Sequence, residues 1–175
     1  MDDVLAFWMA DPEAWWKKDP AFDAEIRRRF LEVHAAVARG EHEAWRATPR
    51  GALAYVIVLD QFSRNMFRGT PESFAYDAQA LAAARAAIDQ GFDQQLPTDE
   101  RIWFYLPLEH SEDLADQERC VALFQTVGNA YYLQFAEAHR DIIRRFGRFP
   151  HRNSLLGRPS TPEEIEFLKQ PGSSF

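Results

Sequence analysis

A chain of 175 residues with 46% hydrophobic and 27% charged residues suits one globular domain with a substantial core. Its net charge of -7 argues against nucleic acid or an anionic membrane surface as a partner. A lone cysteine, Cys120, excludes an intramolecular disulfide and a thiolate metal cluster.

In chain order the signals are helical almost throughout. The opening MDDVLAFWMADPEAWW is acidic where a signal peptide is basic, so a cytoplasmic protein is expected. Asp19-Pro20 reads as an N-cap followed by proline at the first helical position. Phe22, Ile26, Phe30, Val33 and Val37 then recur at helical spacing until Gly40. Thr48-Pro49 repeats the signal and opens a helix expected to run to Met66, ended by Gly69 and Pro71. Its apolar run, Ala52 to Leu59, is far short of the roughly 20 residues a membrane span needs. An alanine-rich helix is expected from Ser73 to Gln90, with Gly91 as its stop. Leu96-Pro97-Thr98 opens another, carrying Ile102, Trp103 and Tyr105. Asp116 to Phe146 is helical again, broken near Gly128-Asn129 into two. Thr161-Pro162-Glu163-Glu164 spells a capping box and starts a short terminal helix. No alternating strand pattern of useful length occurs. The expectation is a single all-α domain over residues 1–175, of about six to eight helices, mostly antiparallel neighbours joined by short turns.

Three polar blocks stand out against this pattern. In the first, Asp60 and Arg64 fall on the same helical stripe as Leu53, Val56 and Ile57, on a helix apolar nearly all round. Their i, i+4 spacing, acid first, reads either as a structural ion pair or as an aspartate orienting Arg64 toward a ligand, with Asn65 and Arg68 beside it. The second block, PLEHSED (Pro107 to Asp113), carries Glu109, His110 and Asp113. The third, FGRFPHRNSLLGRPSTPEEIEFL (Phe146 to Leu168), gathers Arg148, His151, Arg152, Asn153 and Arg158 in an acidic protein.

The five histidines divide by context. His34 and His42 lie among charged residues and read as surface or packing residues. His139 shares a helix face with Ile142, Ile143 and Phe146, so it points inward. A metal-dependent hydrolase on His110, His139 and His151, with Glu109 or Asp113, is one alternative, but the spacing gives it little support. No H-E-x-x-H occurs, and no Glu stands three residues before a His. No metal and no cofactor is assigned. G-x-G, the phosphate-loop pattern and G-x-S-x-G are all missing; His139-Arg140-Asp141 has no D-F-G after it.

Taken together, LDQFSRNMFRG (Leu59 to Gly69), YLPLEHSEDLADQ (Tyr105 to Gln117) and the third block resemble the uncharacterised bacterial and plant family called domain of unknown function 924. The resemblance extends from VLAFW (Val4 to Trp8) over nearly the whole chain. It implies an all-α fold similar to tetratricopeptide-repeat (TPR) proteins, antiparallel helix pairs wound into a right-handed superhelix. It implies no activity.

The third block offers mostly hydrogen-bond donors, which suit a carboxylate or phosphate, and the helix N-terminus at Thr161 favours anions too. The competing reading is that these cations neutralise the chain's own acids, EHSED and the Glu163-Glu164 pair. The functional expectation is a concave pocket where Arg64, Asn65, His110, Arg148, His151, Arg152 and Asn153 converge on a small anionic ligand or an acidic peptide end. If it is catalytic, His110 or His151 is the proton-transfer candidate, because histidine titrates near neutral pH. The alternative from another class is an adaptor that binds a protein segment in a TPR-like groove, with Trp15 and Trp16 as candidates for an exposed patch.

Overall fold

The computed structural model describes residues 1–174, and among them every regular element is helical. Two compact units are distinguished, Met1–Leu108 and the remainder from Glu109 on.

In the first unit, helix α1 spans Asp2–Met9 and α2 spans Pro20–Ala38. The predicted start of α2 holds: Pro20 is the first helical residue and the Asp19 carboxylate accepts from the amides of Ala21 and Phe22. Helix α3 (Pro49–Ile57) begins with Thr48 accepting from the Gly51 amide. Gly51 is required there, since a Cβ would collide with the Trp45 carbonyl oxygen. The chain then continues through a π-helical stretch, Val58–Phe62, into α4 (Ser63–Met66). The predicted helix to Met66 therefore exists, but one turn of it is widened.

Residues Pro71–Phe74 form a separate 3-10 turn, and α5 covers Asp77–Asp89. The expected start at Ser73 is thus four residues early. The Ser73 hydroxyl bonds back to the Thr70 carbonyl and closes the turn locally. Helix α6 (Thr98–Arg101) is one turn, followed by a 3-10 turn at Ile102–Phe104 and by α7 (Leu106–Glu109), in which the unit boundary falls.

The core of this unit is α3 and what surrounds it: Leu53 through Leu59 are all fully buried. An aromatic cluster joins Trp8, Phe22, Phe62 and Trp103. Each such ring contributes about 1.5–3 kcal/mol by burial. Trp15 packs edge-on against Trp103, and its indole N–H donates to the Trp8 carbonyl at 2.6 Å. Trp16 stacks on Trp103 yet remains 47% exposed.

In the second unit, α8 (Leu114–Val127) and α9 (Ala130–Phe146) pack side by side, separated by the predicted break. Gly128, at φ 72°, ends one helix, and the Asn129 side chain caps the next by accepting from Tyr131 and Tyr132. A loop leads through a 3-10 turn at Pro150–Arg152 to α10 (Pro162–Phe167), whose capping box is formed as expected. Phe149, fully buried, packs with Ile142 and Ile143, and Phe146 and Phe167 close over them. Among the described residues no helix is long and apolar enough to cross a membrane.

Candidate functional site

The Leu59 to Gly69 block lies in the first unit, and its polar groups are paired there. The widened turn carries Asp60 and Gln61 into the core, Asp60 being 1% exposed. The Arg64 guanidinium reaches Asp60 Oδ1 at 3.0 Å and grips Asp77 with two bonds, 2.9 and 3.0 Å. Gln61 donates to the other Asp60 oxygen at 2.6 Å. Burial works against the Arg64 charge, but the two aspartates outweigh it and hold the group above its ordinary pKa. Asn65 and Arg68 both bond Asp23 on α2.

His34, also on α2, places Nε2 2.8 Å from the Ser63 hydroxyl. A histidine beside a serine suggests an activated nucleophile, but the proton arrangement opposes it. The Ser63 hydroxyl donates to the Leu59 carbonyl at 2.6 Å, so it accepts from His34, and Ser63 is fully buried. Burial pushes the His34 pKa down to about 4, which keeps the ring neutral. His34 is a packing residue, as its sequence context suggests, and His42 stacks on Trp45.

In the second unit the other histidines converge. His139 is buried on α9, where its Nδ1–H donates to the Phe135 carbonyl at 2.8 Å, with Glu109 Oε1 3.4 Å away. Its ring lies 6.4 Å from that of His110 and 5.6 Å from that of Phe149. Phe149 also meets His151, 5.6 Å away between ring centres, and Arg152, whose guanidinium sits 4.5 Å from the ring centre. Arg152 is buried, whereas His110 and His151 are half-buried. Burial drives the His139 pKa well down; the Phe135 carbonyl opposes this, and His110, Arg152 and His151 reinforce it. His139 is therefore a neutral floor beneath two more accessible imidazoles.

The remaining loop cations meet the chain's own acids. Arg148 forks onto Glu164 at 2.6 and 2.8 Å, and Asn153 donates to Ser160 and to the same glutamate. The Arg148 bonds draw the Glu164 pKa down to about 2. Arg158 forks onto Glu112 at 2.7 and 2.9 Å, and Glu112 also accepts from the Phe149 amide at 2.8 Å. Burial raises the Glu112 pKa, but these bonds win and leave it lowered. The EHSED and Glu163-Glu164 acids do neutralise Arg148, Arg158 and Arg145.

Of the seven proposed pocket residues, Arg64 and Asn65 belong to the first unit and the other five to the second. His110, His151 and Arg152 gather about His139 and Phe149; Arg148 and Asn153 share Glu164. Among the described residues no group of three His, Cys, Asp or Glu side chains is arranged to hold a metal, so the hydrolase alternative on His110, His139 and His151 lacks a ligand set. Cys120 is buried beside Glu109 and Asp116, and burial followed by these charges keeps its thiol protonated. Sequence reasoning missed Asp23 and Asp77 as partners and Phe149 as the ring on which the cluster is built.

A family model described as "Bacterial protein of unknown function (DUF924)" matches residues 4–172. A solved structure of a protein of unknown function from Agrobacterium tumefaciens is similar to this chain, with 46% identity, a TM-score of 0.93 and 96% of each chain covered. No curated protein matches the chain.

Proposed function

The chain belongs to this bacterial family of unknown function, and from that premise we propose that its second unit binds a small phosphate- or carboxylate-bearing ligand, or the acidic end of a peptide, at His110, His151 and Arg152. The observation that carries this reading is a buried guanidinium laid over Phe149, with the half-buried imidazole of His151 and the buried one of His139 on the same ring and His110 beside His139. Such a set supplies directional donors next to a rigid apolar wall, which is how small anions are held and oriented. Arg148, Asn153 and Arg158 act through the loop: their bonds to Glu164 and Glu112 set where His151 and Arg152 stand. His110 and His151 are the proton-transfer candidates of this reading.

The test is thermal unfolding against inorganic phosphate, sulfate and small dicarboxylates. A ligand at one hundred times its Kd stabilises the protein by about 2.7 kcal/mol. Arg152→Met, which keeps much of the apolar stem on Phe149, should abolish the shift. Arg144→Ala, which removes an exposed pair with Glu118, should leave it intact. Equal shifts in both variants would sink the proposal.

The adaptor reading is favoured by one feature, the exposed Tyr131 and Phe135, whose ring centres are 4.9 Å apart on α9. In that reading a TPR-like groove holds a protein segment, and the anion panel produces no shift at all.

A further inference from the structure

We propose that the Glu112 carboxylate is an internal occupant of a carboxylate-binding site made by Arg158 and the Phe149 amide, and that the anionic ligand binds by displacing it. This rests on the anion-binding reading above and names where the ligand's charged group is held.

Three donors converge on this one carboxylate. Arg158 gives it two bonds, 2.7 and 2.9 Å, and the Phe149 amide a third, 2.8 Å. A planar fork with a backbone N–H beside it fits any carboxylate, whether the chain's own or a ligand's, and two oxygens of a phosphate equally well. The donors are also held in place by bonds that do not involve Glu112. Arg158 Nε donates to Asn153 Oδ1 at 3.0 Å, its Nη2 to the Phe149 carbonyl at 3.2 Å, and its amide to the Asn153 carbonyl at 2.8 Å. Asn153 is buried and bonded in turn to Ser160 and Glu164, and Phe149 is fully buried. The loop thus preorganises the fork, which lowers the cost of holding a ligand.

Glu112 is the less fixed of the two carboxylates that hold this loop. The Glu164 side chain is 3% exposed and belongs to the capping box of α10, so its displacement would unmake a helix start. The Glu112 side chain is 28% exposed and that of Arg158 24%, so water reaches this pair. Glu112 stands in the turn between α7 and α8, and among the described residues its side chain bonds only to the loop. The turn itself is pinned by its neighbours: Gln117 donates to the Ser111 carbonyl at 2.7 Å, and Asp113 caps α8. The Glu112 side chain can therefore swing outward while the backbone on both sides stays put. The charges of Arg152 and Arg148 act on Glu112 as well. An anion in its place is thus drawn to the same guanidinium on which the anion-binding reading stands. On displacement, Arg158 passes from closing the loop to holding the ligand.

The test titrates inorganic phosphate and succinate calorimetrically into the full chain and into Glu112→Ala, Glu112→Gln and Arg158→Gln, with circular dichroism confirming the fold of each. A tethered competitor lowers apparent affinity by the fraction of time the site stands open. If that fraction is roughly a tenth or less, removing the carboxylate should tighten binding by about tenfold or more. Arg158→Gln should lose binding. Glu112→Gln keeps the shape of the side chain and serves where Glu112→Ala does not fold. In the unmodified chain, the Phe149 amide resonance should shift as either probe saturates the site. Affinity unchanged or weakened in the Glu112 variants overturns the displacement; if Arg152→Met still abolishes binding, the anion-binding reading stands. Binding in the Glu112 variants with none in the unmodified chain also overturns the displacement and marks Glu112–Arg158 as a permanent ion pair. No binding of either probe to any form overturns both.

Discussion

The two units bury polar side chains in opposite ways. In the first, one guanidinium lies between two carboxylates, and Asp60, Arg64 and Asp77 form a paired cluster inside an apolar helix layer. In the second, imidazoles and a guanidinium crowd one phenylalanine ring, and the nearby carboxylates are largely engaged in holding a loop. The first arrangement is that of a cluster selected to stay in place. The second leaves two imidazoles, those of His110 and His151, half-buried. Buried charge by itself therefore does not mark a site.

The largest effect that would break this comparison is Arg64→Met. It leaves two carboxylates without their common partner, and its expected cost is about 3–5 kcal/mol, read as a lower urea midpoint. A loss below about 1 kcal/mol would mean the first cluster is no more committed to structure than a surface pair.

Acid sharpens the comparison. Each unit holds a histidine whose folded pKa lies below that of the unfolded chain: His34 at about 4, and His139 well below its ordinary value. The unfolded chain therefore binds these protons first. Stability contributed by the neutral rings is complete above about pH 6.5 and is lost as pH falls toward each folded pKa. For His34 that loss amounts to about 3 kcal/mol by pH 4, at about 1.4 kcal/mol per unit. His34→Gln and His139→Gln should each flatten the decline of the unfolding midpoint between pH 6.5 and 4.5. An unchanged slope in both would contradict the neutral-ring assignment. The smallest effect is Thr161→Ala, expected to cost about 1 kcal/mol through loss of the cap on α10, with no change at Arg64 or Asp60.

Local chemistry was the legible part of this molecule. Asp19, Thr48, Asn129 and Thr161 announce their helices because a cap is a contact between residues two or three apart. The π turn at Val58–Phe62 carries no such signal, because widening one turn depends on what packs around it. Helix α5 starts later than its composition suggests because Pro71–Phe74 closes as a separate 3-10 turn. In the site, the i, i+4 spacing exposed the Asp60–Arg64 pair but not Asp77. The loop's cations were visible and so were their candidate acids. Which cation each acid would take, and that Phe149 would be the ring beneath His151 and Arg152, depends on tertiary contacts that spacing does not encode.

The pairing of Arg148 and Arg158 has a consequence for how the protein is digested. The stretch from Arg148 to Ser160 contains three arginines, of which Arg148 and Arg152 precede bonds that trypsin can cut while Pro159 protects Arg158, and little regular helix, the composition of a segment that trypsin attacks early. Trypsin must draw an arginine side chain into its own acidic pocket and straighten the backbone around it. Here Arg148 is clamped by Glu164, Arg158 by Glu112, and Arg152 is buried over Phe149. Limited digestion of the folded protein should therefore begin at the exposed Lys17-Lys18 pair and spare this loop until the second unit opens, so that the loop's cleavage rate becomes a clock for that opening.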